Sequence, residues 1–286
     1  MNKIFISYGD SNYFIQRHRI KKQAKSINFF DKVIIYNNSK LDIEFKKKFK
    51  KVLNMKKGGG YWVWKYNIIL KTLNNMDEND ILLYADSGST INKKGRNRLK
   101  EYFDMLSKSE QSFLMFQVKN LIEREWTTKE TFQFFNLNQN SDEALSPIFM
   151  ATAFLVKKNE AAITFLNEYL EIIEKDPNLI TDHYENNYHQ ENYFKAHRND
   201  QSILSLMCKT KGCMYIEDET YFFNNPEKQL KYPILSVRDK EYSLWQKIKY
   251  FLLYPLNVRK EIFFGMEQPY FKRTPLIKKF MKRVTN

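Results

Sequence analysis

Residues 58–90 read GGGYWVWKYNIILKTLNNMDENDILLYADSGST, and the organisation of the chain follows from them. Gly58, Gly59 and Gly60 read as a loop. Tyr61 to Leu73 reads as a helix with Trp62, Ile69 and Leu73 on one face. Asn74 to Asn79 is a polar break. Ile81-Leu82-Leu83-Tyr84 is a short apolar strand that delivers Asp86 at its carboxyl end, ahead of Ser87 and Gly88. Open α/β sheets bind ligands outside the carboxyl ends of their strands. A glycine loop that runs into a helix leaves unpaired N–H groups facing an anion. The stretch therefore predicts a loop–helix–strand unit that aims a carboxylate and a basic loop at one crevice.

The flanking sequence extends this unit. Lys3 to Tyr8 reads as a first strand ending in Gly9-Asp10-Ser11, and residues 13–26 as a basic helix. Lys32 to Tyr36 reads as a second strand and Leu41 to Met55 as a lysine-rich helix. This β-α-β-α-α-β order predicts an α/β protein with a mostly parallel central sheet flanked by helices. Further on, helices are expected at Gly95 to Ser107, Glu160 to Glu174 and Asp200 to Cys208, and strands at Ser112 to Val118 and Ile148 to Val156. Residues 181–196 are polar and aromatic, a long loop near a site. Residues 215–239 read as irregular.

Composition bounds the function. A chain of 286 residues with 43% hydrophobic residues suits one large domain, or one with an appendage. Only 8 Gly and 7 Pro argue against a sandwich of many tight turns. Cys208 and Cys213 make no disulfide framework, and reduced thiols in a cytosolic protein are the expectation. No signal peptide or membrane span is expected. The formal charge of +14 points to an anionic partner. More than half of it lies after residue 239, where basic and apolar residues interleave as in an interfacial helix. We expect two parts, residues 1–240 as the main domain and 241–286 as a basic amphipathic extension.

Several residues stand out, each with two readings open. Asp86 is a ligand-facing carboxylate or the cap of the next turn. His197-Arg198-Asn199-Asp200-Gln201-Ser202 places more polar side chains before an apolar helical run than one N-cap requires. Within it His197 is a metal ligand or a hydrogen-bonded histidine. Trp62, Trp64 and Lys65 are a sugar platform with a phosphate contact, or core with a solvated lysine. Glu123, Glu125 and Trp126 offer a base for sugar chemistry, or a solvated helix face. Arg17 and Arg19 reach a phosphate from the first helix, or water. No P-loop, Rossmann, HExxH or GxSxG pattern is present.

The order SYGD, a basic helix carrying R-x-R, GGGYWVWK, DILLYADSG, IEREWTTKETF and HRNDQSILSL resembles bacterial surface-polysaccharide glycosyltransferases with a GT-A-like domain. The similarity spans roughly residues 1–210. Three positions depart from that family's pattern. Tyr66 stands where a proline usually follows the lysine, Gly88 stands where the fuller D-x-D signature has its second carboxylate, and Asn199 stands where a second histidine is usual.

The resemblance implies a cytoplasmic hexosyltransferase, peripheral on the inner face of the plasma membrane. It would move a sugar from a nucleotide-sugar donor, a UDP-sugar by expectation, to a lipid-linked or surface-glycan acceptor of capsule or lipopolysaccharide type. Asp10 and Arg17 would lie near the nucleotide. Asp86, with Ser87 and Gly88, would bind ribose and diphosphate, with a divalent cation, Mn2+ or Mg2+, on Asp86. Lys65, Gly59 and Gly60 would steady the phosphates, and Asp200 and Gln201 would sit by the anomeric carbon. Trp62, Trp64, Glu125, Trp126, His197 and Arg198 complete the expected substrate contacts. The C-terminus would meet an anionic membrane surface, and no nucleic acid is expected. The competing classes are a nucleic-acid-binding protein, suggested by the charge and the aromatics, and a non-catalytic carbohydrate-binding module.

Overall fold

A computed structural model describes residues 1–221 and 231–236. The expected extension, 241–286, lies outside the described residues. Strands β1 (Lys3–Tyr8), β2 (Lys32–Tyr36) and β3 (Ile81–Ala85) are each separated by helical segments. These segments are α1 (Phe14–Ser26), α2 (Ile43–Lys48), α3 (Lys50–Leu53), α4 (Gly58–Tyr61) and α5 (Trp64–Leu73). After β4 (Thr90–Ile91) come α6 (Arg96–Lys108), β5 (Phe113–Ile122), α7 (Glu123–Trp126), α8 (Lys129–Phe134) and α9 (Asp142–Leu145). The chain continues through β6 (Pro147–Phe149), β7 (Ala153–Lys157), α10 (Glu160–Lys175), α11 (His183–Asn187), α12 (Asp200–Lys211), β8 (Met214–Glu217) and β9 (Ile234–Leu235).

The main sheet runs β2-β1-β3-β7-β5-β6, with β8 also paired to β5. β1 is parallel to β2 and β3, β5 is parallel to β8, and β7 and β6 pair antiparallel to their neighbours. The sheet is therefore mostly parallel in direction, as the element order predicts. Strand alternation sends side chains to two cores. Ile4, Ile6, Tyr8, Leu82, Tyr84, Phe154 and Val156 face α5, α10 and α12. Phe5, Ile81, Leu83, Ala153 and Leu155 face the buried side of α1 and α6, including Ile20, Leu99 and Phe103. Because both faces are covered, β3 is buried at every position.

The sheet topology also locates the crevice. From β1 the chain steps to β2 on one side, then returns to place β3 on the other. The strand order therefore reverses around β1, and the carboxyl ends of β1 and β3 form a topological switch point.

Several elements differ from the sequence expectation. The lysine-rich helix is broken at Phe49 into α2 and α3. The single strand expected over 148–156 is two, because Met150 and Thr152 leave the strand path to bond Phe116 and Asp86 across the sheet. The segment 215–239 holds part of β8 and all of β9. The helix expected from Tyr61 begins at Trp64 and is buried on nearly every side, since it lies between the sheet and α10.

Candidate active site

Gly9 and Asp10 follow β1, and Asp86 follows β3, so the two carboxylates arrive at the switch point from adjacent parallel strands. Asp10 Oδ1 accepts from the backbone N–H of Asn12 at 2.8 Å. Arg17, one turn into α1, donates from Nη1 to Gly9 O at 3.1 Å. Arg19 reaches the turn that follows Asp86. Its Nη2 donates to Ser87 O, Gly88 O and Ser89 O at 2.9–3.4 Å, which pins the turn after Asp86.

The glycine stretch is not an open loop. Gly58, Gly59, Gly60, Tyr61 and Trp62 all have φ between 48° and 98°, a left-handed turn of five residues. L-residues in that conformation cost about 1–2 kcal/mol each, so Tyr61 and Trp62 need anchors. Tyr61 OH donates to Asp182 Oδ2 at 3.1 Å, Lys57 Nζ to Asp182 Oδ1 at 2.6 Å, and Trp64 Nε1 to Gly58 O at 3.0 Å. The Trp62 ring covers Gly58, where a Cβ would lie 2.6 Å from it. The expected phosphate cradle needs correcting, because the N–H groups of Gly59 and Gly60 already donate to Lys56 O and Lys57 O. What Gly59 gives the site is room: a Cβ there would stand 3.6 Å from Asp10 Oδ2 and 3.7 Å from Trp64 Nε1.

Trp64 is buried, with its ring stacked on Tyr8 at 3.8 Å between centroids. It is a wall and not an exposed sugar platform. Burial, then the charge of Asp10, push the Tyr8 phenol up to about 12.

Beneath Asp86 lies a buried ionic group. Lys65 is 1% exposed. Its ammonium donates to Asp200 Oδ2 at 2.6 Å and Ala151 O at 2.9 Å, and lies 3.8 Å from Asp86 Oδ1. Tyr84 OH donates to Asp86 Oδ1. Tyr66 OH and Tyr169 OH each donate to Asp200 O at 3.2 Å. Burial pulls the Lys65 ammonium down, but Asp200 and Asp86 outweigh it and hold its pKa above the usual lysine value. Lys65 therefore stays charged and faces inward, which corrects the expected phosphate contact. The Asp86 side chain is 29% exposed and that of Asp200 only 7%, so Asp86 meets the crevice and Asp200 backs it.

Asn199, before α12, has φ 56° and makes no capping bond. Its Nδ2 donates to Ile180 O and to Asp182 Oδ1, so Asp182 ties the left-handed turn to the residue preceding Asp200. Gln201 Nε2 donates to Phe149 O at 2.9 Å. His197 is 4% exposed, with Nε2 on Leu179 O at 2.8 Å, and burial lowers its pKa to about 4. It is a core histidine, which corrects its expected contact with substrate or metal.

Trp126, Glu125 and Arg198 form a separate group on the outer side of Asn199. The Arg198 guanidinium lies 4.1 Å from the Trp126 ring centre, Lys195 pairs with Glu125 at 2.7 Å, and Ser202 Oγ donates to Trp126 O. Glu123, read as a residue of a solvated face, is wholly buried, paired with Lys209 at 2.8 Å and hydrogen-bonded by Thr127 and Ser205.

Among the described residues no three or more His, Cys, Asp or Glu side chains are grouped to hold a metal ion. Asp86 and Asp200 already share the Lys65 ammonium. This donor set does not fit the divalent cation implied on Asp86.

No protein-family model matches the chain, and no curated protein matches it. Solved structures similar to it include a glycosyltransferase involved in glycosylation of the major capsid of PBCV-1. That protein is 11% identical, with a TM-score of 0.46 over 82% of this chain and 93% of that one. The galactosyltransferase LgtC, in complex with donor and acceptor sugar analogs, is 11% identical, with a TM-score of 0.47 over 94% and 98%. The glycosyltransferase GlyE of Streptococcus pneumoniae TIGR4 is 15% identical, with a TM-score of 0.45 over 94% and 67%.

Proposed function

We propose that the chain is a glycosyltransferase whose switch-point crevice binds a nucleoside diphosphate sugar. The observation that carries this reading is the convergence of Asp10 and Asp86 from adjacent parallel strands. Arg17 stands at the mouth and the charged Lys65–Asp200 pair lies beneath Asp86. A nucleotide sugar presents what this arrangement can use. Its ribose hydroxyls donate to carboxylates, and its diphosphate needs a cation. Gly59 leaves space beside Asp10 for the nucleotide to approach the backbone.

In the reaction, the bond from the anomeric carbon to the diphosphate oxygen breaks and its electron pair leaves with the nucleoside diphosphate. An acceptor hydroxyl oxygen forms the new bond to that carbon, and its proton is released to water. Charge grows on the departing diphosphate, so preorganised donors aimed there accelerate the step. Asp200 holds the Lys65 ammonium beneath Asp86. A lipid-linked or surface-glycan acceptor fits the basic C-terminal extension, which would bring the enzyme to an anionic membrane face.

The test is a thermal-shift panel of nucleoside diphosphates and their sugars on the full chain. A ligand at ~100 times its Kd adds about 2.7 kcal/mol, and at least one should raise the midpoint. If none does, while the salt-sensitive binding of an oligonucleotide does, the chain is a nucleic-acid binder.

A further inference from the structure

We infer that this site runs glycosyl transfer without a divalent cation, because Lys65 is its resident cation between Asp86 and Asp200 and Arg17 meets the departing diphosphate. The inference rests on the nucleotide-sugar reading above and goes beyond it, to the source of positive charge.

The geometry carries it. Mg2+ and Mn2+ need near-octahedral oxygen ligands at short range, with at least one or two carboxylates free to turn toward the metal. Here Asp86 Oδ1 accepts from Tyr84 OH and lies 3.8 Å from the Lys65 ammonium. Asp200 Oδ2 is bound by the same ammonium at 2.6 Å. A divalent cation on that side of Asp86 would sit against a buried positive charge. Lys65 cannot swing aside cheaply, since it is 2% exposed at the side chain and held by Ala151 O as well. Its ring neighbour strengthens the hold: Nζ lies 5.2 Å from the Tyr84 ring centre.

Asp86 and Asp200 with the Lys65 ammonium carry one net negative charge, and at the mouth Asp10 is balanced by Arg17. One of its five donors is on Gly9 O, and the guanidinium is only partly buried beside Asp10. When the anomeric carbon–oxygen bond breaks, the electron pair and the charge move onto the nucleoside diphosphate, where the Arg17 guanidinium would stabilise that charge. Lys65 does not touch that oxygen; it positions Asp86 and fixes its charge.

The test has two arms on the full-length protein. First, Mn2+ alone is titrated into the wild type and free Mn2+ is followed by electron paramagnetic resonance. No saturable site is expected at Mn2+ concentrations up to about 1 mM, the weak end of carboxylate sites. Stoichiometric Mn2+ uptake that Asp86→Asn abolishes would overturn the inference. In Lys65→Met the two carboxylates face each other without a cation, so Mn2+ uptake is expected to rise at least tenfold. A folded Lys65→Met that ignores Mn2+ also overturns it, and if that variant does not fold the wild-type titration still decides.

Second, thermal shifts by UDP, GDP and CDP are compared in EDTA and in MnCl2. Equal shifts support the inference. A shift only in MnCl2 overturns it and leaves the nucleotide reading standing. No shift in either condition removes that reading, and the inference falls with it.

Discussion

Lys65→Met is the most informative perturbation of stability. Methionine keeps most of the side-chain volume and removes the ammonium, so packing changes little. What changes is that Asp200, 7% exposed at its side chain, loses the partner at 2.6 Å. Breaking a buried ion pair from one side costs roughly 3–5 kcal/mol, because a charge is stranded in a medium that cannot solvate it. Tyr66 OH still reaches Asp200 Oδ2 at 3.4 Å and relieves the carboxylate in part, so the lower part of that range is expected. Asp200→Asn should cost less, about 2 kcal/mol, since Lys65 keeps Ala151 O and has Asp86 at 3.8 Å. The double variant strands nothing and should fall well short of the sum, with a coupling of about 2 kcal/mol. Urea unfolding followed by circular dichroism measures all three differences. The buried pair is refuted if Lys65→Met costs less than about 1 kcal/mol, or if the two single costs add within about 0.5 kcal/mol.

Three further outcomes follow from other parts of the chain. His197 has a folded pKa of about 4 against 6.5 unfolded, so between those values the unfolded chain binds the extra proton; stability should fall as pH drops below ~6.5, by on the order of 3 kcal/mol near pH 4. Urea midpoints across pH 4–7 should flatten in His197→Gln, and equal slopes in both proteins would contradict its burial. Gly60→Ala should destabilise by more than about 1 kcal/mol, since φ is 98° and a Cβ would meet Leu53 Cα at 2.7 Å; a neutral thermal midpoint would contradict the left-handed turn. Truncation at Pro269 should reduce sedimentation with anionic vesicles, each basic residue near the lipid being worth about 1 kcal/mol, and unchanged sedimentation would rule out a C-terminal anchor.

Local signals in the chain reach some of its elements and miss others. Asp86 is legible because a short apolar run ending in Asp-Ser-Gly is a strand followed by a tight turn, and β3 is that strand. Lys65 shows where such signals stop. On a helix after a glycine stretch it looks like a phosphate ligand, and its true partner is 135 residues away in sequence. Only the packing of α5 between the sheet and α10, with Asp200 of α12 in reach, decides that the ammonium faces inward. Three glycines announce positive φ, but nothing announces that Tyr61 and Trp62 continue it, because L-residues rarely do. His197 sits in a polar run that suggests exposure, yet the loop around Leu179 and Ile180 folds over it. β8 escaped notice because it is an edge strand with alternate residues exposed and no apolar run.

The central claim is that the crevice between Asp10 and Asp86 takes a nucleotide sugar and transfers its glycosyl group. The direct measurement is release of nucleoside diphosphate from a panel of nucleotide sugars, by wild type and by Asp86→Asn, in EDTA. Asp86 is partly exposed, so the variant is expected to fold. At least one donor should be turned over by the wild type, and Asp86→Asn should slow it by roughly 100-fold, the scale of losing one positioned charge in an active site. Equal turnover by the two proteins, or no donor consumed by the wild type with or without Mn2+, would contradict the claim.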